Sequence, residues 1–168
     1  MATTLNGTVE LRLNFTYNPG TDLSTTQDNL DVVYPLTTVI AQGTGDHQCN
    51  VLWHDQRIVV AGTPDDIDVR TLTFVGATQD FAKIKGLMVY NRSTTAAEIL
   101  QVGADAVAPI STIFGATPDY LNVHPSGLLF LWSPLVGYAV TATTADILQI
   151  ISASGTITYD IALLGTNS

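Results

Sequence analysis

The C-terminal part of the chain decides the fold. Residues 128–165 have the sequence LLFLWSPLVGYAVTATTADILQIISASGTITYDIALLG. Apolar, β-branched and aromatic residues dominate four short segments within it, and turn-forming residues separate these segments at 128–132, 137–141, 146–152 and 156–164. Short strands at close spacing, with turn residues between them, are typical of an antiparallel sandwich or barrel. This stretch therefore predicts packed β-sheet.

The same alternation begins near the N-terminus, where Val9, Leu11, Leu13, Phe15 and Tyr17 alternate with polar residues. Period two over this length predicts a half-buried strand, ended by a turn at 18–20 and a polar loop at 20–29. The chain has 168 residues, enough for one domain with a sizeable core. We expect a single all-β domain, either a sandwich or a jelly roll. Further apolar segments follow at 30–40, 51–53, 57–61, 67–75, 81–90, 99–103 and 121–124.

Individual residues predict irregularities in these strands. Pro35 indicates a bend or an edge position, and an apparent register slip near Thr71 indicates a bulge. Gly86 indicates a bulge or a close backbone approach. A short turn is expected at 76–80, and Gly127 is expected to supply the positive φ of the Pro-Ser-Gly turn in which it lies.

The composition is unusually poor in charge. Hydrophobic residues make up 46% of the chain and charged residues only 12%, against about 25% in ordinary domains. The surface is therefore expected to be neutral, or to be covered by a partner, and it is suited to association with other copies of the chain.

The few charges are mostly acidic. The net charge is −9, and no Lys or Arg follows Arg92. Binding to nucleic acid needs a basic footprint, so we expect no DNA or RNA partner. Lys83 and Lys85 are expected on the solvated face of one strand. Arg12, Arg57, Arg70 and Arg92 are candidates for charge pairs with a neighbouring protein, against the alternative of a solvated surface.

Cysteine and hydropathy patterns bear on the compartment. Cys49 is the single cysteine, so no intramolecular disulfide is possible. The sequence has no N-terminal signal pattern and no apolar run of about 18 residues. We expect synthesis in a reducing cytoplasm without export, and no membrane partner.

No residue pattern predicts catalysis or a cofactor. His47, Cys49 and His54 are metal-ligand types, but a structural zinc site needs four converging ligands. The acidic cluster at 65–68 lacks the spacing of a calcium loop and is explained by turn chemistry. No Gly-x-Ser-x-Gly motif is present, and the Asp residues are scattered. We expect no metal site and no enzymatic activity.

Four aromatic residues are candidates for an interface. Phe130 and Trp132 lie two apart on one strand and so share a face. With Tyr138 they would form a platform for a sugar or a protein partner, and Trp53 is a further candidate. Packing in the core is the alternative for each, because large aromatic residues dominate both β cores and interfaces.

The C-terminal half also resembles a group of small bacteriophage virion proteins, the capsid decoration or cement proteins. The resemblance implies a jelly-roll core at 46–168, with 1–45 as an N-terminal strand or arm. It offers no catalytic residues to transfer. The likeness covers most of residues 50–166 and is carried by VLWHDQR at 51–57, FAKIKGL at 81–87, Gly103, HPSGLL at 124–129, GYAVT at 137–141, DILQI at 146–150 and TYDIALLGT at 158–166.

The resemblance implies a location on the outer surface of the virion head. The chain would form a homotrimer there and stabilise contacts between major capsid proteins. The alternative is a jelly-roll module of a phage tail tip or head fibre that binds a host receptor or glycan through Trp53, Trp132 and Tyr138.

Overall fold

The computed structural model describes residues 5, 7–17, 28–104 and 107–168 of the chain. Within these ranges the chain forms strands and one short helix, α1 (Ser111–Phe114). The strands are β1 (Gly7–Tyr17), β2 (Asp28–Gln42), β3 (Gln48–Cys49), β4 (Val51–Val60), β5 (Asp65–Asp68), β6 (Leu72–Phe74), β7 (Ala77–Gln79), β8 (Lys83–Asn91), β9 (Leu100–Ala104), β10 (Tyr120–Val123), β11 (Leu128–Trp132), β12 (Tyr138–Ala139), β13 (Ile147–Ser152) and β14 (Thr156–Thr166).

A five-stranded and a four-stranded antiparallel sheet form the body of the molecule. The first, which we call the β14 sheet, has the order β11-β8-β14-β4, and β12 also pairs with β8. The second, the β13 sheet, has the order β10-β9-β13-β5. Buried side chains from both sheets form one hydrophobic core. The predicted all-β sandwich is therefore confirmed.

Alternation along β14 fixes which side of its sheet faces the core. From Ile157 to Gly165, residues at every second position of this strand are buried, and those between them are half-buried. Because successive strand residues point to opposite faces, the first set packs against the β13 sheet. Full burial of one aliphatic side chain stabilises the fold by about 1.5–3 kcal/mol. The core residues of β14 and of the β13 sheet include Ile157, Tyr159, Ile161, Leu163, Ile67, Leu100, Val102, Leu148 and Ile150.

The N-terminal hairpin, formed by β1 and β2, belongs to neither of the two large sheets. Its strands pair with each other, and the end of β2 pairs in parallel with β3. Val9 lies opposite Thr38 and Leu11 opposite Tyr34, so β2 carries two extra residues at this point. Pro35 falls within this irregularity, where a missing backbone N–H is tolerated. The turn expected at 18–20 lies outside the described residues, as does most of the loop expected at 20–29.

Lys85 is buried, and the expectation that it lines a solvated face is wrong. Leu164 of β14 pairs with Gly86, whereas Gly165 pairs with Ile84, so Lys85 is the extra residue of a bulge. Bulges re-aim side chains, and this one turns Lys85 inward, where it is 1% exposed. Its Nζ donates to the carbonyl oxygens of Gly45 (2.6 Å) and Gln48 (3.0 Å). Lys85 thereby attaches the β2–β3 connection to the sandwich.

Three local expectations differ from the structure. No bulge forms at Thr71; instead a turn separates β5 from β6, and Asp68 accepts hydrogen bonds from the Arg70 N–H (2.9 Å) and the Thr71 hydroxyl (2.9 Å). The turn expected at 76–80 is shorter, because β7 begins at Ala77. In the Pro-Ser-Gly turn the positive φ (58°) belongs to Ser126 and not to Gly127.

An Arg–Asp–Tyr cluster joins the two sheets at one edge. Arg57 of β4 donates through Nε and Nη2 to the two carboxylate oxygens of Asp65, at 2.7 and 2.6 Å, and the Tyr159 hydroxyl donates to the same carboxylate at 2.7 Å. Asp65 begins β5, in the opposite sheet. Burial alone would raise the pKa of Asp65, but the hydrogen bonds from Arg57 and Tyr159 outweigh it and lower that pKa.

Within the described ranges, no helix is long and apolar enough to span a membrane, and α1 has only four residues.

The Asp65 cluster predicts a specific pH dependence. We expect Asp65→Asn to lower the free energy of unfolding at pH 7 by about 1–2 kcal/mol, because the bidentate, partly buried ion pair with Arg57 loses its negative charge. The folded pKa of Asp65 lies below its unfolded value, so its contribution is complete above about pH 5 and is lost as the pH falls through the folded pKa. Urea denaturation at pH 7, 5 and 3 should show the difference between wild type and variant shrinking towards acid. Asp66→Asn, at an exposed neighbour, is the control, and a difference that does not change with pH contradicts the assignment.

Lys85 predicts a change in thiol reactivity. Cys49 is 1% exposed and lies next to Gln48, whose carbonyl oxygen Lys85 holds. We expect Lys85→Met to release this segment and to accelerate maleimide labelling of Cys49 several-fold, with Lys83→Met as the matched control on the same strand. Burial raises the pKa of the Cys49 thiol and the charge of Lys85 partly offsets that rise, so loss of the charge alone would slow the reaction. Slower or unchanged labelling would mean that Lys85 does not hold the segment closed.

Candidate interaction surface

The outer side of the β14 sheet, which faces away from the core, carries a broad apolar surface. Strand register places Leu164 beside both Gly86 and Leu52, Ala162 beside Met88, and Phe130 across from Met88. These positions alternate with core-facing ones and are half-buried in the chain by itself, apart from the buried Gly86. We call this surface the outer face; its central residues are Leu52, Gly86, Met88, Phe130, Trp132, Ala162 and Leu164.

A shallow cleft of about 150 Å³ occupies the middle of the outer face, and its lining contains no charged residue. The apolar character continues outward to Leu128 on β11 (56% exposed), whereas His54 and Gln56 separate Ile58 of β4 from the cleft. Apolar patches that are rimmed by polar residues commonly mark protein contacts. The outer face is therefore a candidate protein contact.

Trp132 lies across β8 at a position where that strand has no side chain. A Cβ atom on Gly86 would be 3.1 Å from Cε3 and Cζ3 of the indole, which is closer than ordinary packing allows. The close approach expected at Gly86 is therefore confirmed, and it lets the ring lie against the sheet. The indole Nε1 is buried, and none of the described residues accepts its hydrogen. An unsatisfied buried donor of this kind costs about 1–3 kcal/mol.

Charges at the rim of the outer face are neutralised within the chain. Asp160 accepts hydrogen bonds from Gln56 Nε2 (2.9 Å) and Arg92 Nη1 (2.7 Å). The hydrogen bond from Gln56, followed by the contact with Arg92, lowers the pKa of Asp160. The carboxylate stays ionised and paired at neutral pH, so this edge adds little net charge to the face.

The four candidate aromatic residues lie in different parts of the structure. Phe130 and Trp132 lie together on the outer face, as their spacing predicts. Trp53 is 4% exposed and belongs to the core, so the core alternative holds for it. Tyr138 on β12 is half-buried and packs against the core. Two of the four residues thus form one surface.

The other candidate residues have structural roles. His47, Cys49 and His54 do not converge, and no group of three or more His, Cys, Asp or Glu side chains in the described ranges could hold a metal. Arg57 pairs with Asp65 at 2.6 Å, Arg70 with Asp80 at 2.7 Å, and Arg92 with Asp160 at 2.7 Å. These three arginines are therefore engaged within the chain, and the side chain of Arg12 lies outside the description.

Sequence reasoning missed the aliphatic part of the outer face. Leu52, Met88, Ala162 and Leu164 complete the cleft around the two aromatic residues. The signal was present in β14, where Ile161, Ala162, Leu163 and Leu164 form an unbroken apolar run. A strand that is apolar at both odd and even positions needs cover on both faces.

Comparisons with family models, with curated proteins and with solved structures each found no match.

Gly86→Ala tests the packing of the outer face. The added methyl group meets the indole of Trp132 at 3.1 Å, so we expect the ring to be displaced towards solvent. Acrylamide quenching of tryptophan fluorescence should increase, measured in a Trp53→Phe background so that Trp132 is the only reporter. Gly7→Ala is the matched control, because nothing lies within 4 Å of a Cβ there. Equal quenching in both variants would show that Trp132 does not lie on Gly86.

Proposed function

We propose that this chain is a structural protein of a bacteriophage virion, a capsid decoration protein. It would bind the outer head shell as a homotrimer and stabilise contacts between major capsid proteins. The outer face carries this proposal. It is an apolar surface on a rigid sandwich with no charged side chain in its central cleft, and a lasting contact with other proteins is the function that such a surface supports best.

The sequence resemblance adds to this proposal. Its three longest segments, 51–57, 81–87 and 158–166, lie on or beside the neighbouring strands β4, β8 and β14, which supply much of the outer face. Decoration requires contact area and complementarity, and it requires no chemistry. That fits a chain in which no group of His, Cys, Asp and Glu side chains among the described residues could hold a metal ion.

We also propose that the sandwich is a jelly roll. Its large sheets have the orders β11-β8-β14-β4 and β10-β9-β13-β5, so β4, β5 and β8 alternate between the two sheets. The last strand, β14, lies between β4 and β8. Apart from the two-residue strand β12, the two sheets contain eight strands, and eight strands connected in this crossing manner are what a jelly roll requires.

A glycan-binding module is the second candidate, and the contacts support it less well. Trp53 lies in the core, and Tyr138 packs against the core. Only Trp132 remains on the outer face from the three aromatic residues named for a sugar platform, and its ring lies against Gly86. A flat apolar sheet suits a protein partner better than a sugar, because sugars need converging polar groups.

Binding to head shells that lack the protein tests the proposal. We expect the purified chain to co-sediment with such shells in a saturable manner and to raise their melting temperature in scanning calorimetry. Weak individual contacts gain strength when a trimer binds a repeating lattice. Shells that already carry the protein are the control and should bind no more of it.

Absence of both shell binding and thermal stabilisation of the shells contradicts the decoration proposal. Binding to a glycan array that is lost in Trp132→Ala, with the melting temperature of the variant unchanged, would support the second candidate instead.

A further inference from the structure

Strand β11 lies at the edge of the β14 sheet, with β8 on one side and no described strand on the other. Its sequence, LLFLW, contains no charged residue, no proline and no glycine. Every second side chain, beginning with Leu128, belongs to the outer face, whereas Leu129 and Leu131 pack against the core. β11 is therefore an apolar edge strand, the kind of strand to which a further strand adds readily.

The open edge of β11 presents backbone groups without partners. Just before the strand, Gly127 accepts a hydrogen bond from the Asn91 N–H at 3.0 Å. Just after it, Ser133 donates to the Lys85 carbonyl oxygen at 2.8 Å. Both bonds continue the β11–β8 register, in which bonded and unbonded pairs alternate, so odd-numbered residues of β11 bond to β8. The even-numbered residues point their N–H and C=O groups away from β8, and no described residue pairs with them: Leu128, Phe130 and Trp132.

Two other edge strands carry features that oppose pairing. On β4, at the opposite edge of the same sheet, the Asp55 carboxylate accepts the N–H of Gln56 at 2.9 Å. The carbonyl oxygen of Val60, near the end of β4, accepts from the Thr63 N–H at 3.0 Å. β5, an edge strand of the β13 sheet, has the sequence DDID. Charged residues are a common protection of a sheet edge. β11 has neither charges nor occupied backbone groups on its open side.

We infer that β11 of one copy pairs with β11 of a second copy, antiparallel, about a two-fold axis at Phe130. Leu128 of each copy then lies opposite Trp132 of the other, and Phe130 lies opposite its own counterpart. The three open N–H groups of each copy meet the three open carbonyl oxygens of the other. Leu129 and Leu131 also lie opposite each other, so every position of the strand meets an apolar side chain.

The hydrogen-bonding pattern selects this register. Only even-numbered residues have open groups, so the axis must pair even positions with even positions. An axis at residue 129 would place Trp132 opposite Ser126, outside the strand. An axis at residue 131 would place Leu128 opposite Pro134, which has no N–H. The axis at Phe130 is the one that pairs all three open residues within β11.

Charge favours a second copy as the partner. The net charge of −9 makes two copies repel each other over most of their surfaces. The stretch 120–145, which contains β11, has no Asp, Glu, Lys or Arg. Two copies can therefore bring these edges together without placing like charges opposite each other.

The area of the contact indicates a reversible dimer. Five residues at about 3.4 Å each give an edge about 17 Å long, and a sheet layer about 10 Å thick gives roughly 170 Å² per copy. The total stays far below the about 1,200 Å² of an ordinary stable interface. The two-fold contact joins copies in twos, so it is separate from the three-fold contact of the proposed function and does not rest on it. It would place two outer faces side by side in one continuous sheet.

Proline substitution in the full-length chain tests the inference. Phe130→Pro removes the central open N–H and breaks no hydrogen bond to β8, because that N–H points away from β8. Phe130→Val is the matched control, since it also removes the ring but keeps the N–H. Leu129→Pro checks the assignment of the ladder: its N–H bonds to β8, so this variant should melt at a much lower temperature than Phe130→Pro.

Sedimentation equilibrium gives the expected masses. We expect the average mass of wild type to rise with concentration between about 10 µM and about 1 mM, the range in which a weak contact saturates. It should rise towards at least twice the mass of Phe130→Pro, which should not change with concentration. Phe130→Val should rise as wild type does. The comparison holds whether Phe130→Pro is a single chain of 17.9 kDa or a trimer, so its result is separate from that of the trimer proposal.

Other results overturn the inference. A wild-type mass that stays constant over this range excludes the contact, and so does Phe130→Pro protein that associates as wild type does. Loss of association in Phe130→Val as well would assign the contact to the ring and not to the open edge. A constant wild-type mass, together with loss of shell binding in folded Phe130→Pro alone, would assign the edge to a strand of the shell protein.

Cross-linking tests the register and remains decisive if the proline variant does not fold. Opposite residues of a hydrogen-bonded pair have Cα atoms about 5.5 Å apart. Phe130→Cys protein should therefore form dimers with an ethylene-bridged bismaleimide. Leu128→Cys protein should not, because its counterpart lies four residues along the other strand, about 14 Å away. The native Cys49 is buried and adds little background. Dimers of Leu128→Cys in place of Phe130→Cys, or of neither, would exclude the axis at Phe130.

Discussion

The pairing of β14 along both of its edges is the constraint on which the rest of the molecule depends. Its register against β4 runs from Thr156 to Gly165, and its register against β8 runs from Tyr159 to Thr166. A one-residue slip would exchange the two faces of the strand and bring Asp160 into the core. The side of the sheet that packs on the β13 sheet, and the side that becomes the outer face, are both set by this register.

The bulge at Lys85 extends that constraint to the N-terminal part of the chain. An inserted residue breaks the alternation of β8, so Gly86 keeps its place under Trp132 while Lys85 turns towards the β2–β3 connection. The buried ammonium group is held by two carbonyl oxygens, and no carboxylate partner is described for it. Carbonyl partners fix its position without adding a counter-charge to the interior. One irregularity thereby shapes the cleft and fixes the base of the hairpin.

Sequence patterns predicted the positions of the strands well and their irregularities poorly. The apolar pattern predicted the positions of β1, β8, β11, β13 and β14 closely, because a strand that buries one face has apolar residues at every second position. The same reasoning placed Lys85 in solvent, because charge is a sound guide to exposure only when the strand is regular. It also assigned the positive φ to Gly127, whereas Ser126 takes it and Gly127 is needed for another reason: a Cβ there would lie 2.7 Å from the carbonyl oxygen of His124.

For a related reason, the sequence predicted only the aromatic part of the outer face. Phe130 and Trp132 are two apart, so their common face follows from one strand alone. The contributions of Leu52 and Met88 depend on which strands lie beside β14, and strand order is set by long-range pairing that a single sequence does not encode locally. Trp53 illustrates the same point, since its register opposite Leu163, a core residue, decides its burial.

The low charge of the chain and the apolar outer face both lower the electrostatic cost of a close contact with another protein. Evenly spread charge would keep single copies soluble but would make close assembly costly, because each charge brought into a contact loses hydration. In this chain Arg57, Arg70 and Arg92 are engaged by carboxylates of the same chain, which leaves the acidic excess away from the centre of the outer face. The residual repulsion opposes random aggregation, while the uncharged face permits one oriented contact. The proposed binding to a head shell would depend on both properties.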